Sequence, residues 1–151
     1  MVEIKKILFP VDFTTSSTKV LPYVKYMAEK LAATIHIIHV VRGPEEFSGF
    51  EMGAAWYASF EGEILKGAEQ AMTNFLEDNM TGIDAVESSI KLGDAVEQIL
   101  KEADNIGADL IIIGTHGRKG LEKIMFGSVA EGVVKRAECP VMTVNPHKTG
   151  K

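Results

Sequence analysis

Five short apolar segments alternate with four segments of helical periodicity, and this alternation constrains the fold more than any other feature. The apolar segments are Ile4–Phe9, Thr34–Val41, Asp84–Leu92, Asp109–Ile113 and Pro140–Val144. Apolar residues recur at helical spacing in Ser16–Ala33, in Phe60–Asn79, between Asp94 and Gly107, and after Ser128. Strands that alternate with helices form parallel α/β sheets with helices on both faces. We therefore predict one domain over residues 1–151, an open parallel five-stranded sheet. Asp84–Leu92, the least apolar of the five segments because it contains Glu87, Ser88 and Ser89, is expected at an edge.

The composition argues against several classes of protein. The chain has 151 residues, of which 46% are hydrophobic and 25% charged, as in an ordinary globular domain. A net charge of −5 argues against binding to duplex nucleic acid, which favours a basic face. No apolar run approaches the roughly 18 residues of a membrane span, and the start at Ile4 resembles a strand, not a signal peptide. The single cysteine, Cys139, cannot form an internal disulfide, so we expect an inert thiol and a cytoplasmic location.

Two segments lack a clear period. Gly43–Ser59 mixes glycine, proline and acidic residues with four aromatic residues. A loop of this length is usually a lid, a binding loop or a mobile segment. The sequence leaves open whether its aromatic side chains cover a ligand, pack on the domain or meet a partner. The polar residues His147–Lys151, within 143–151, are expected to form a frayed tail.

A glycine-rich loop follows the apolar strand Asp109–Ile113. It contains Gly114, Gly117 and Gly127 and ends at Ser128. Glycine lets a backbone approach a ligand closely, and the N–H groups of such a loop and of the next helix form an anion site. Ser128 followed by Glu131 is also the pattern of a capping box, so a tight turn and a capped helix is the alternative. We favour a phosphate site, because three glycines and a hydroxyl exceed what capping requires.

Other familiar site motifs are missing from the sequence. There is no G-x-x-x-x-G-K-[ST] loop and no G-x-G-x-x-G after the first strand. His36 and His39 are three residues apart on a strand and so point to opposite faces, which makes them a poor metal pair. No Ser/His/Asp arrangement follows from the spacing. His116 lies in the glycine loop and could contact a ligand, although a solvated histidine is the simpler interpretation.

The position of Asp12 suggests a second part of the site. In open α/β sheets, ligands bind beyond the carboxyl ends of the strands where the strand order reverses. The first strand ends at Pro10-Val11-Asp12 and the fourth at Gly114. If these strands are neighbours, Asp12 and the glycine loop flank one crevice. Asp12 could then accept hydrogen bonds from a ribose or help to hold a divalent ion, and capping of the first helix is an equal alternative.

These motifs resemble those of the ATP-binding universal stress proteins. Gly114-x2-Gly117-x9-Gly127-Ser128 matches the G-2x-G-9x-G-[S/T] motif of that family. The opening Ile7–Asp12 and the segments Asp109–Gly117, Gly127–Glu131 and Cys139–Val141 are similar to its first strand, fourth strand, last helix and last strand. Gly132 departs from the bulkier residue that is usual in that helix.

The resemblance implies a strand order of 3-2-1-4-5, with ATP held between the first and fourth strands. Magnesium could accompany the ATP, and Asp12 could then contact it. It also implies a homodimer joined through the last strand, at Val141, Met142, Thr143 and Val144. The residues implied to contact ATP are Pro10, Val11, Asp12, Val41, Gly114, Thr115, His116, Gly117, Arg118, Gly127, Ser128 and Val129.

Two classes of function remain. The first is an ATP-binding regulatory protein of the stress response, whose nucleotide occupancy changes its conformation or its partners. The second is a slow magnesium-dependent ATPase or phosphotransferase. Phosphoryl transfer requires positioned cations and an oriented nucleophile, and no convincing base lies beside the loop, since Glu122 and Glu131 fall on helical segments. We expect ATP binding with slow hydrolysis or none, and the complete motif disfavours a scaffold with no ligand.

Overall fold

The computed structural model describes residues 1–42, 53–115 and 127–148, with the backbone alone for 53–59. The elements in chain order are β1 Lys6–Pro10, α1 Thr15–Leu31, β2 Thr34–Val41, α2 Gly53–Asn79, β3 Val86–Leu92, α3 Ala95–Ile106, β4 Leu110–Gly114, α4 Ser128–Arg136 and β5 Val141–Val144. Within these described ranges no helix combines the length and apolar character that a membrane span requires.

The sheet is parallel and its five strands lie in the order β3-β2-β1-β4-β5, which confirms the predicted fold class and strand order. β1 is central, and Ile7, Leu8 and Phe9 are at most 1% exposed. Such continuous burial is typical of a parallel strand covered on both faces. The more polar β3 lies at an edge, as predicted.

Two apolar cores lie on opposite faces of the sheet. Ile7 and Phe9 of β1 join a cluster with residues of α1 and α2, including Val24. Leu8 points to the other face and joins residues of α3 and α4, including Val133. The alternation of side chains along β1 therefore supplies both cores, and burial of these apolar surfaces is the main contribution to stability.

Helix α2 begins at Gly53, and the predicted start at Phe60 is wrong. The segment Gly53–Ser59 was assigned to a loop because it lacks an amphipathic period. It contains three alanines, which have the highest intrinsic helix propensity and need no periodic apolar face to form a turn. The rest of the predicted loop, residues 43–52, lies outside the described residues.

The ends of α3 follow the sequence prediction, and α4 begins at Ser128 as expected but without the capping box. Asp94 caps α3 by accepting a 3.0 Å hydrogen bond from the Glu97 N–H, and Gly107 ends it in the left-handed conformation at φ 66°. In α4 the cap position is held by Gly127, which has no side chain with which to cap the helix. The predicted capping box at Ser128 is therefore wrong, and Glu131 instead accepts a 2.8 Å hydrogen bond from Lys135.

Gly132 allows α4 to pack closely against α3, and we expect Gly132→Ala to destabilise the protein. A Cβ atom at Gly132 would lie 2.8 Å from Val96 Cγ2, and the side chain of valine has little freedom at χ1. Overpacking costs about 1–3 kcal/mol, which outweighs the gain of about 1 kcal/mol in helix propensity. Urea unfolding should therefore show a lower free energy of unfolding.

The Val96→Ala background supplies the control for this prediction. With the valine methyl groups gone, Gly132→Ala keeps its propensity gain without the clash, so the effect of the substitution should change sign. A Gly132→Ala variant that is equally stabilising in both backgrounds would contradict the packing argument.

Candidate functional site

The strand order reverses between β1 and β4. The chain passes from β1 to β2 on one side, and β4 pairs with β1 on the other, in register at Ile7–Leu110 and Leu8–Ile111. The carboxyl ends of the two central strands therefore meet at one edge of the sheet. This is the position at which open α/β sheets bind ligands, and it satisfies the condition on which the predicted crevice depends.

Asp12 is held in the loop after β1 by the first turn of α1. Its Oδ1 atom accepts hydrogen bonds from the Thr14 N–H at 3.0 Å, the Thr14 hydroxyl at 2.6 Å and the Ser17 hydroxyl at 2.9 Å. The Asp12 N–H in turn donates to Ser17 Oγ at 3.1 Å. Asp12 thus contacts the start of α1, whose N-cap residue is Thr14, through one oxygen alone. Within the described part of the chain, no donor reaches its Oδ2 atom, and Asp12 is exposed.

A junction between Thr115 and Gly127 joins the end of β4 to the start of α4. The Thr115 N–H donates to the Val144 carbonyl at 2.9 Å, and the Thr115 carbonyl accepts a 2.6 Å hydrogen bond from the Gly127 N–H. The two ends of the glycine-rich segment are therefore held together beside the carboxyl end of β4.

The first turn of α4 presents main-chain donors at this junction. The first N–H groups of a helix have no partner within the helix, and among the described residues no side chain caps those of α4. Ser128 is exposed, and its hydroxyl forms no hydrogen bond with the residues described in the structure. Main-chain N–H groups and an exposed hydroxyl at a helix N-terminus suit an anion such as a phosphate.

The other predicted site residues divide into three groups. Pro10 and Gly114 are half-buried at the ends of β1 and β4, and Val11 and Thr115 are buried just beyond them. Val41 ends β2, where its carbonyl accepts a 2.9 Å hydrogen bond from the Gly93 N–H, and Val129 packs against the core beneath α4. The remaining three, His116, Gly117 and Arg118, lie outside the described residues.

Sequence reasoning missed three residues that shape the site: Thr14, Ser17 and His39. Thr14 and Ser17 both bind the Asp12 carboxylate. The His39 ring contacts the loop after β1 through a 2.8 Å hydrogen bond between Nδ1 and the Val11 carbonyl. The contact between Ser17 and Asp12 had one signal in the sequence, namely a serine five residues after an aspartate at the end of a strand.

His36 lies on the opposite face of β2, in a second polar cluster beneath α3. Ser89 donates a 2.5 Å hydrogen bond to Glu102 and contacts His36 Nε2 at 2.9 Å, and Lys91 approaches Glu102 at 3.8 Å. Burial alone would raise the pKa of Glu102, but the hydrogen bond from Ser89 and the charge of Lys91 outweigh it and hold the pKa below its ordinary value. The cluster joins β2, β3 and α3. Among the described residues, no three His, Cys, Asp or Glu side chains are arranged to hold a metal ion.

Cys139 lies at the other end of the sheet, beside a cavity of about 430 Å³ between the C-terminal ends of α3 and α4. Burial raises the pKa of its thiol, and the carboxylates of Asp109 and Asp104 raise it further. A thiol of raised pKa is a poor nucleophile, which fits the expected inert cysteine.

Comparison with known proteins connects this geometry to one family. The model of the universal stress protein family matches residues 3–145. Universal stress protein MJ0577 of Methanocaldococcus jannaschii is 30% identical over 152 residues, which cover 93% of this chain and 94% of that protein. A solved structure of MJ0577 has a TM-score of 0.80 at 31% identity and covers 95% of this chain and 97% of its own.

Two more distant structures share the fold and contain a nucleotide. A universal stress protein from Archaeoglobus fulgidus in complex with dAMP has a TM-score of 0.68 at 20% identity and covers 96% of this chain and 100% of its own. A universal stress protein in complex with cAMP has a TM-score of 0.61 at 21% identity, with 95% and 98% covered.

Proposed function

This chain belongs to the universal stress protein family, and from that premise we propose that it is an ATP-binding regulatory protein. Occupancy by ATP would change its conformation or its partners in the stress response. The observation that carries the proposal is the junction between Thr115 and Gly127, which holds the start of α4 beside the carboxyl end of β4. Solved members of the family in complex with dAMP and cAMP support an adenine nucleotide as the ligand.

The residues present fit the parts of ATP by their chemistry. The N–H groups of the first turn of α4 and the Ser128 hydroxyl suit the phosphates. Asp12 retains one carboxylate oxygen for a ribose hydroxyl or for magnesium, which prefers oxygen ligands and binds through one or two carboxylates plus phosphates. Val11 and Val41 provide apolar contacts for the base, as the resemblance implies.

Slow hydrolysis or none is part of the proposal. Asp12 Oδ1 already accepts three hydrogen bonds, so this oxygen is engaged in holding the loop and is not available to orient a water molecule. Asp12 is therefore a ligand-binding residue and poorly suited to activate a water molecule. We expect turnover well below roughly 1 per second, the low end for typical enzymes.

We further propose a cytoplasmic location. The single cysteine, Cys139, allows no internal disulfide, and chains without disulfides are typical of a reducing compartment.

We expect the protein to bind ATP with magnesium at one site per chain. Mass spectrometry of freshly purified, denatured protein detects any nucleotide that co-purifies, and titration calorimetry of the nucleotide-free protein measures affinity for ATP, ADP, AMP, dAMP and cAMP. If phosphates bind at α4, the affinity should rise from AMP to ATP. If hydrolysis is slow, protein incubated with ATP and magnesium should contain little ADP.

The series of nucleotides, together with the ADP measurement, distinguishes ATP binding at α4 from no binding, from binding without a phosphate site and from enzymatic turnover. Absence of binding by any adenine nucleotide at concentrations up to about 1 mM would refute the proposed function. Equal affinity for AMP and ATP would contradict the phosphate site at α4. Turnover of several per second would make the protein an enzyme.

A further inference from the structure

The loop after β1 adopts an unfavourable conformation beside the proposed nucleotide site. Phe13 has a φ of 61°, in the left-handed region that a bulky residue seldom occupies. A residue persists in such a conformation only where its surroundings over-determine it. The neighbours Asp12 and Val11 are those that would meet the ribose and the base, so whatever holds Phe13 also sets the shape of the site.

One set of restraints on this loop comes from the start of α1, where Ser17 and Thr14 bind Asp12. A second set comes from β2. The Val11 N–H donates to the Ile38 carbonyl at 2.9 Å. His39 Nδ1 lies 2.8 Å from the Val11 carbonyl, and the His39 ring packs on the Phe13 ring with the two centroids 4.3 Å apart and the planes at 39°. His39 therefore contacts the loop both before and after Asp12.

The protonation of His39 follows from its partner. A carbonyl oxygen can only accept a hydrogen bond, so Nδ1 must carry the proton and donate. The half-buried His39 ring thus fixes the direction of the Val11 carbonyl, and its face supports Phe13 in the left-handed conformation. A leucine of similar bulk would leave that carbonyl without this donor, and an unpaired buried acceptor is costly.

We infer that His39 is a positioning residue of the nucleotide site, which holds the Val11–Phe13 turn so that Asp12 is presented to an adenine nucleotide. The inference rests on the proposed function for its ligand, but the positioning itself is a property of the free protein. His36, three residues earlier, provides a matched control because it lies on the opposite face of β2 and contacts Ser89 and Glu87.

The test compares His39→Leu, His39→Asn and His36→Leu. Asparagine places an amide N–H near the position of Nδ1 and can keep the hydrogen bond to the Val11 carbonyl, whereas leucine cannot. We expect His39→Leu to weaken ATP binding in calorimetry by about tenfold. His39→Asn should lie within about threefold of the parent protein, since its donor is retained. His36→Leu should lower the melting temperature with unchanged ATP affinity.

Hydrogen exchange of the nucleotide-free protein supplies a second measurement that does not depend on ATP. The Asp12 and Thr14 amides, which are bonded to Ser17 Oγ and Asp12 Oδ1, should exchange faster in His39→Leu and normally in His39→Asn. Parent-like exchange and ATP affinity in a folded His39→Leu variant would overturn the inference, as would failure of asparagine to restore them. If the parent protein binds no ATP, the proposed function fails while the exchange data still decide whether His39 positions the loop.

Discussion

Gly127→Ala is expected to weaken ATP binding by about tenfold to a hundredfold while the protein stays folded. The φ of Gly127 is −57°, which any residue can adopt, so glycine is required there for space and not for conformation. A Cβ atom would lie 2.6 Å from the Thr115 carbonyl oxygen, the same atom that accepts the Gly127 N–H. That strain can be relieved only by moving the start of α4 away from the end of β4. The main-chain donors proposed to bind phosphate would move with it.

Gly67→Ala provides the matched control. Gly67 is exposed on α2, and a Cβ atom there would have no neighbour within 4 Å. This substitution should leave the ATP affinity unchanged and stabilise the helix slightly. Titration calorimetry with ATP and magnesium, together with circular dichroism of both variants, makes the comparison. Parent-like affinity in Gly127→Ala would show that the junction does not form part of the nucleotide site.

The architecture was accessible from the sequence because the strands and helices have strong and different periods. Ile7, Leu8 and Phe9 form an apolar run that a central parallel strand requires, and α3 is bounded by Asp94 and Gly107, whose capping chemistry is local. The strand order came from the resemblance to a family, because pairing between β1 and β4 depends on contacts between residues about a hundred positions apart. Where the local pattern was weak, as in Gly53–Ser59, the prediction was wrong.

The candidate site was only partly accessible. Asp12, Gly127 and Ser128 were identified because glycine motifs and strand ends are visible in a sequence. The roles of Ser17 and His39 were not, since each depends on how α1 or β2 lies against the loop after β1. The reason that position 127 requires glycine was also not visible in the sequence. Its neighbour is Thr115, and only the folded chain brings that carbonyl to it.

The homodimer implied by the resemblance gives the last prediction, and the hydrogen bonds of the sheet make it specific. The Ile111 N–H donates to the Pro140 carbonyl at 3.0 Å, and the Thr115 N–H donates to the Val144 carbonyl at 2.9 Å. In a parallel sheet, the main-chain N–H and C=O groups of successive residues point alternately to one neighbouring strand and to the other. Those of Met142 and Val144 therefore point to β4. Those of Val141 and Thr143 point to the outer edge. An antiparallel copy of β5 would satisfy these groups in a twofold dimer.

Thr143→Pro should therefore convert a dimer into a monomer without unfolding the chain. Proline removes an N–H that points outward and is tolerated on edge strands in that orientation, and Thr143 is exposed. Light scattering after size exclusion at micromolar concentration measures the mass, and the melting temperature reports the fold.

Ser88→Pro on the opposite edge of the sheet is the matched control. The Ile35 N–H donates to the Ala85 carbonyl and the Gly93 N–H to the Val41 carbonyl, so the same alternation points the Ser88 N–H outward from β3. Ser88→Pro should remain dimeric, because β3 is not the proposed interface. A parent protein with the mass of one chain would contradict the dimer. Dimers that persist in Thr143→Pro but dissociate in Ser88→Pro would instead place the interface at β3.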